Sequence, residues 1–193
     1  MEETLENEKI EKEVSACQKC SLNRTRLNPV AGEGSLEAKI MFIGEAPGVQ
    51  EDRSGRPFCG EAGKILDELL NSIGIKREEV YIGNILKCRP PGNRNPQKEE
   101  IELCTPYLER QIELIKPEVI CTLGNYSTAY ILEKYSLKDK IQGISKIHGQ
   151  IFEVSNLFQS LKIIPLYHPA VATYNPGMKE TLRADFKVLE RFR

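Results

Sequence analysis

Lys39-Ile40-Met41-Phe42-Ile43-Gly44-Glu45-Ala46-Pro47-Gly48 is the stretch on which the reading of this chain turns. Its apolar core is too short for a helix and is stopped by Gly44, so it reads as a strand buried on both faces. A loop rich in Gly and Pro runs from Gly44 to Gly60. Ile65, Leu66, Leu69, Leu70 and Ile73 then recur at helical spacing until Gly74 breaks the pattern.

The alternation continues in both directions. Val80 to Ile85 is a second strand, followed by the breaker-rich segment Cys88 to Pro96. Ile101, Cys104, Leu108, Ile112 and Ile115 trace one face of a long helix. Val119 to Leu123 is a third strand, with a helix from about Asn125 to Lys134. Ile147 to Val154 reads as a hairpin arm, and Leu161 to Tyr167 as a last buried strand ending at His168-Pro169. Leu182, Phe186 and Leu189 share one face of a terminal helix. At the other end, residues 4–16 form a polar helix with Leu5, Ile10 and Val14 as its thin apolar set. Strands alternating with helices predict a parallel sheet covered on both faces. Ligands of such sheets gather at the carboxyl ends of the strands. The loops after the first, second and fourth strands all leave from there.

The chain of 193 residues fits one domain, 1–193, with 1–16 as an N-terminal helical extension. Hydrophobic residues at 40% and charged residues at 28% are the balance of a globular protein in water. No apolar run approaches the roughly 20 residues that span a bilayer. The acidic start MEETLENEKIEKEV lacks a signal-peptide core. A cytoplasmic protein without membrane contact is expected, and the preference for Glu over Asp, with abundant Ile and Lys, leans towards a heat-adapted source. Net charge is −1, but the first 13 residues hold six acids and two bases, so the remainder carries a small positive excess. Any nucleic-acid contact must therefore come from local clusters.

Six cysteines occur, at 17, 20, 59, 88, 104 and 121. The C-x2-C pair Cys17/Cys20 suits one metal centre, because the turn between them aims both sulfurs inward. Spacing alone leaves zinc, an iron–sulfur cluster and free thiols open, whereas a disulfide framework is unexpected in a cytosolic chain of this size. Cys121 sits in a strand and reads as core.

Several motifs act together. They are C-x2-C at Cys17, GEAPG-x2-ED from Gly44 to Asp52, GRPF-x-G from Gly55 to Gly60, N-x3-CRPP from Asn84 to Pro91, C-x15-C at Cys88 and Cys104, and HPA at His168. In this order the set resembles the family 4, iron–sulfur-containing uracil-DNA glycosylases, from about Cys17 to the C-terminus. The resemblance implies an α/β fold, three-layer α/β/α with a central four-stranded parallel sheet. It implies a structural [4Fe–4S] cluster on Cys17, Cys20, Cys88 and Cys104. The implied activity is hydrolysis of the N-glycosidic bond of deoxyuridine in single- or double-stranded DNA, releasing uracil with no lyase step.

The base must leave the stack before it can be cut. Phe58 offers a stacking platform. Asn84 offers a donor and an acceptor for the O4 and N3–H edge of uracil. Ala46 and Gly48 line the pocket, where family 1 enzymes carry an Asp and a Tyr, and the resemblance makes Glu51 the barrier to the thymine methyl. His168 is the candidate donor to the developing uracil anion, and Glu45 the candidate group to orient the water. Lys87, Arg89 and Arg94 are expected at DNA phosphates, with Val171 or Tyr174 as the wedge in the stack.

Two alternatives stay open: the same fold acting on hypoxanthine, xanthine or mismatched thymine, and a zinc-ribbon nucleic-acid binding module. A monomer is expected; a replication sliding clamp is carried as a candidate partner, although no clamp-binding peptide stands out.

Overall fold

The computed structural model describes residues 2–155 and 160–192. Helix α1 (Glu2–Ala16) leads to the edge strand β1 (Glu33–Gly34), then β2 (Ile40–Gly44), α2 (Val49–Ser54), α3 (Glu61–Ser72) and β3 (Tyr81–Asn84). The long helix α4 (Lys98–Ile115) precedes β4 (Val119–Leu123), α5 (Asn125–Lys134) and the short α6 (Ile144–Ile147). The chain closes with β5 (Phe152–Ser155), β6 (Ser160–Leu166), α7 (Val171–Tyr174) and α8 (Met178–Phe186).

The sheet has six strands in the order β1-β3-β2-β4-β6-β5 and is mixed. This corrects the expectation of four parallel strands. The inner four are parallel, but β1 and β5 add antiparallel edges. β1 has no counterpart in the sequence reading and β5 appears there only as a hairpin arm, because both are short and half-buried and lack the apolar run by which the inner strands are recognised. The hairpin arm likewise starts later than Ile147. Ile147 is a core residue at the end of α6, and Gly149 takes a left-handed turn (φ +71) before β5 begins. The residues joining β5 to β6, 156–159, lie outside the described set.

Register fixes the functional edge. Gly44 lies beside Asn84 and Leu123 beside Leu166, so the loops leaving all four inner strands start at one level. One face of the sheet packs Phe42, Ile82 and Ile164 against Leu66, Leu69 and Leu70 of α3 and Leu182 and Phe186 of α8. The Phe42 and Phe186 rings stack with centroids 5.8 Å apart. The other face packs Met41, Ile43, Ile120 and Ile163 against Leu108 and Ile112 of α4 and Ile131 and Leu132 of α5. These are the two outer layers that strands alternating with helices demand.

A third core joins Ile10 and Val14 of α1 to Leu22, Leu86, Cys88, Cys104 and Tyr107. Leu5, expected in the same apolar set, is 66% exposed; Arg110 of α4 adds polar ties along α1 by bonding Glu6 and Glu13.

Candidate active site

A cleft of about 570 Å³ opens at the carboxyl edge of the sheet. Its walls include Glu45, Ala46, Gly48, Glu51, Phe58, Asn84, Arg94, His168 and Val171, every one singled out from the sequence, together with Tyr174. The sheet register is the reason. Residues 44–58, 84–94 and 167–174 leave the parallel strands β2, β3 and β6 at the same end.

Asn84 is the last residue of β3 and is 2% exposed. Its Oδ1 is buried with no hydrogen-bond partner. An orphaned amide oxygen costs roughly 1–3 kcal/mol, which is tolerated where a ligand completes it. Gly44 makes room for this arrangement. A Cβ there would lie 2.3 Å from Asn84 Oδ1 and 2.8 Å from the Phe58 ring.

Phe58 is held in a left-handed backbone conformation (φ 46) that is uncommon for an aromatic residue. Two features secure it. Gly63 at the start of α3 has no Cβ, and one would collide with the Phe58 carbonyl at 1.8 Å. The Glu51 carboxylate binds the backbone beyond it. Oε1 accepts from Cys59 N and Gly60 N, both at 2.9 Å, and Oε2 accepts from Gly48 N at 3.1 Å. Glu51 therefore clamps the two halves of the loop that carries the aromatic ring, in addition to facing the cleft.

The His168 ring stacks on Phe58, with centroids 5.4 Å apart and planes at 27°. Its Nδ1 accepts a hydrogen bond from Ala170 N at 3.2 Å. That fixes the tautomer: Nδ1 is the acceptor, so the proton of the neutral ring sits on Nε2. Burial pulls His168 down to about 4, with the Glu51 charge acting weakly the other way. The ring is thus neutral at physiological pH with one N–H to give. Burial also raises the Glu45 carboxyl above its ordinary value.

The cationic candidates behave differently. Lys87 cannot reach a phosphate, which corrects the sequence expectation. It is 1% exposed and its Nζ donates to the Asn84 carbonyl (3.1 Å) and to Gln111 Oε1 (2.8 Å). Burial draws it down to about 8. Arg94 stands on the cleft wall, but its guanidinium forks onto the buried Glu100 carboxylate at 2.6 and 2.9 Å. Arg89 lies outside the cleft lining, its Nε bonded to Asn93 Oδ1. Tyr174 is 76% exposed at the rim and Val171 is only partly so. A wall that sequence reasoning passed over is Gly124-Asn125-Tyr126, after β4. The same rule about strand ends, applied to the third strand, would have found it.

Behind this cleft lies a second recess. Cys17, Cys20, Cys88 and Cys104 line it together with Val14, Leu22 and Tyr107. Arg26 Nη1 donates to Cys88 Sγ at 3.0 Å, and Lys87 N to Cys104 Sγ at 3.1 Å. Ala46 packs against this same group, so the two recesses share a wall. Cys121 is fully buried in β4 and Cys59 is exposed, hydrogen-bonded with Ser54. Among the described residues no three His, Cys, Asp or Glu side chains are gathered as ligands of a single ion.

The family model described as "Uracil DNA glycosylase superfamily" matches residues 31–190. The type-4 uracil-DNA glycosylase of Saccharolobus solfataricus is 49% identical over 179 residues, covering 92% of this chain and 82% of that protein. The corresponding proteins of Sulfurisphaera tokodaii and Archaeoglobus fulgidus are each 47% identical. They cover 93% and 92% of this chain, and 81% and 88% of their own lengths.

Proposed function

The chain belongs to the uracil DNA glycosylase superfamily and to its type-4 branch, and from that premise we propose that it excises uracil from DNA by direct hydrolysis of the N-glycosidic bond. The observation that carries the proposal is the buried, unpartnered Oδ1 of Asn84 in the same cleft as a neutral His168 with a free Nε2–H. One accepts and the other donates, as a uracil held by both its edges requires.

The flipped base lies on Phe58. Asn84 Oδ1 accepts from N3–H and its amide N–H donates to O4, so cytosine, with an amino group and a bare N3, leaves a polar group unpaired. The rigidly held Glu51 stands against the thymine methyl. As the bond to the sugar breaks, negative charge grows on uracil O2. His168 Nε2–H donates to it from a site that needs no reorganisation, because the ring is fixed by Ala170 N and by Phe58. A neutral donor suffices and avoids an ion pair that would bind the free product. Glu45, with its raised affinity for a proton, orients the attacking water and receives its proton. Arg89, outside the cleft lining, meets phosphate beside the cleft, whereas Arg94 is already paired with Glu100; Tyr174 or Val171 fills the gap left in the stack.

The four thiols fit a [4Fe–4S] cluster. An all-sulfur donor set selects zinc or iron–sulfur. Thiols spread around a recess suit a cluster with one thiolate per iron better than a single tetrahedral ion. Arg26 and the Lys87 amide already supply N–H bonds to two of the sulfurs. Such a cluster ties α1 to the loop after β3 and to α4, a structural contribution with no part in bond cleavage. No helix of the described residues is long and apolar enough to cross a membrane, and we place the protein in the cytoplasm as a monomer on DNA.

The test is a cleavage assay on single- and double-stranded oligonucleotides carrying uracil, thymine, hypoxanthine or xanthine. Release of uracil leaving an abasic site is expected. Activity on the other bases with uracil untouched overturns the proposal.

A further inference from the structure

Lys87 is a buried cation without a carboxylate partner among the described residues, in a position that the reaction itself does not use. Its main chain belongs to the thiol recess, where its N–H bonds Cys104 Sγ. Its side chain turns back to the strand end and donates to the carbonyl of Asn84, three residues earlier. The other acceptor, Gln111 Oε1, is wholly buried, and Gln111 Nε2 is anchored in turn to Ala31 O and Tyr81 Oη, each at 2.9 Å. The ammonium is thus pinned from behind and presses on the peptide that follows Asn84.

We propose that Lys87 is a positioning residue that fixes Asn84 for base reading and links that geometry to the thiol recess behind it. The inference rests on the assignment of Asn84 as the uracil reader. A long side chain with a compact, multiply donating head is required, because it spans from one recess to the other and satisfies two acceptors in a dry site. The Lys87 backbone N–H stays on Cys104 Sγ, so one residue touches both recesses.

The experiment compares wild type, Lys87→Met, Asn84→Ala and the double variant in single-turnover uracil excision, with absorbance near 400 nm recorded on each. Lys87→Met keeps the stem and removes the two charged hydrogen bonds, and about a tenfold loss in rate is expected with the absorbance unchanged. The double variant is expected to be no worse than Asn84→Ala within about threefold, since both changes disable one reading device. A merely structural lysine gives additive losses, which overturns the inference. So does loss of absorbance in step with activity, because Lys87 would then serve the thiol recess alone. An unchanged Lys87→Met rate beside an active wild type overturns it as well. An inactive wild type overturns the functional assignment instead. Should Lys87→Met fail to fold, Gln111→Leu decides. About a threefold loss, non-additive with Asn84→Ala, is expected, and no loss or an additive one refutes the link.

Discussion

Replacing His168 by Ala isolates the step in which the base departs. The ring has one proton to give, because Nδ1 is occupied by Ala170 N and burial holds the pKa near 4. Removing one preorganised donor to a developing oxyanion costs about 2.7–4 kcal/mol, or roughly 10²–10³ in rate. Because O2 is far less charged in the bound base, KM should move much less than the rate of cleavage. The assay is single-turnover release from an oligonucleotide with one uracil, followed from pH 5 to 8. The wild-type rate should show no titration of this ring between pH 6 and 8, since it is already neutral there. Protonating Nδ1 would set two N–H groups face to face at 3.2 Å, so the cationic form is not a usable catalyst. Two outcomes refute the reasoning: a His168→Ala rate within threefold of wild type, or a requirement for a protonated group near pH 6.5 that vanishes in the variant. The same shift has a consequence for stability. Between about pH 6.5 and 4 the unfolded chain takes up a proton at His168 that the folded chain refuses. Stability is therefore intact above that window and falls as pH drops through it, by up to about 3 kcal/mol from this group. In His168→Ala that part of the acid sensitivity should disappear from urea titrations at pH 4.5 and 7.

Gly44→Ala would drive a methyl against Asn84 Oδ1 and Phe58 together; loss of uracil excision by about 10²-fold is expected, two reading groups being displaced at roughly 1–3 kcal/mol each. Glu51→Gln keeps the shape but leaves at least one of three backbone N–H groups poorly met, so a fall in Tm of several degrees is expected for a loss of about 1–3 kcal/mol. A normal Tm in that variant contradicts the clamp. Cys88→Ser should bleach absorption near 400 nm and loosen α1, seen as faster amide exchange at Ile10 and Val14, whereas Cys121→Ser should leave the absorption intact. A colourless wild-type protein purified without oxygen argues against the cluster.

The motif residues were legible because each occupies the end of a strand that its apolar run announces. Ile40–Ile43, Tyr81–Ile82, Val119–Leu123 and Ile163–Leu166 are buried on both faces, and burial on two sides leaves a continuous, largely apolar signal. The helix from Asn125 to Lys134 was bounded correctly from sequence. The edge strands β1 and β5 carried no such signal, being short and half-solvated.

What the sequence determined alone is the list of groups at the strand ends and, through their order, the family. Tertiary structure decided what each group is free to do. Lys87 and Arg94 look alike in sequence as cations beside a pocket, yet one is locked behind Asn84 and the other is neutralised by Glu100. His168 acquires its tautomer and low pKa from Ala170 N and from the burial that Phe58 helps to provide. Glu51 becomes a clamp only when Cys59 and Gly60 are brought to it. Residue type is local, whereas desolvation and hydrogen-bond partners depend on which segments the fold makes neighbours, and these set the chemistry.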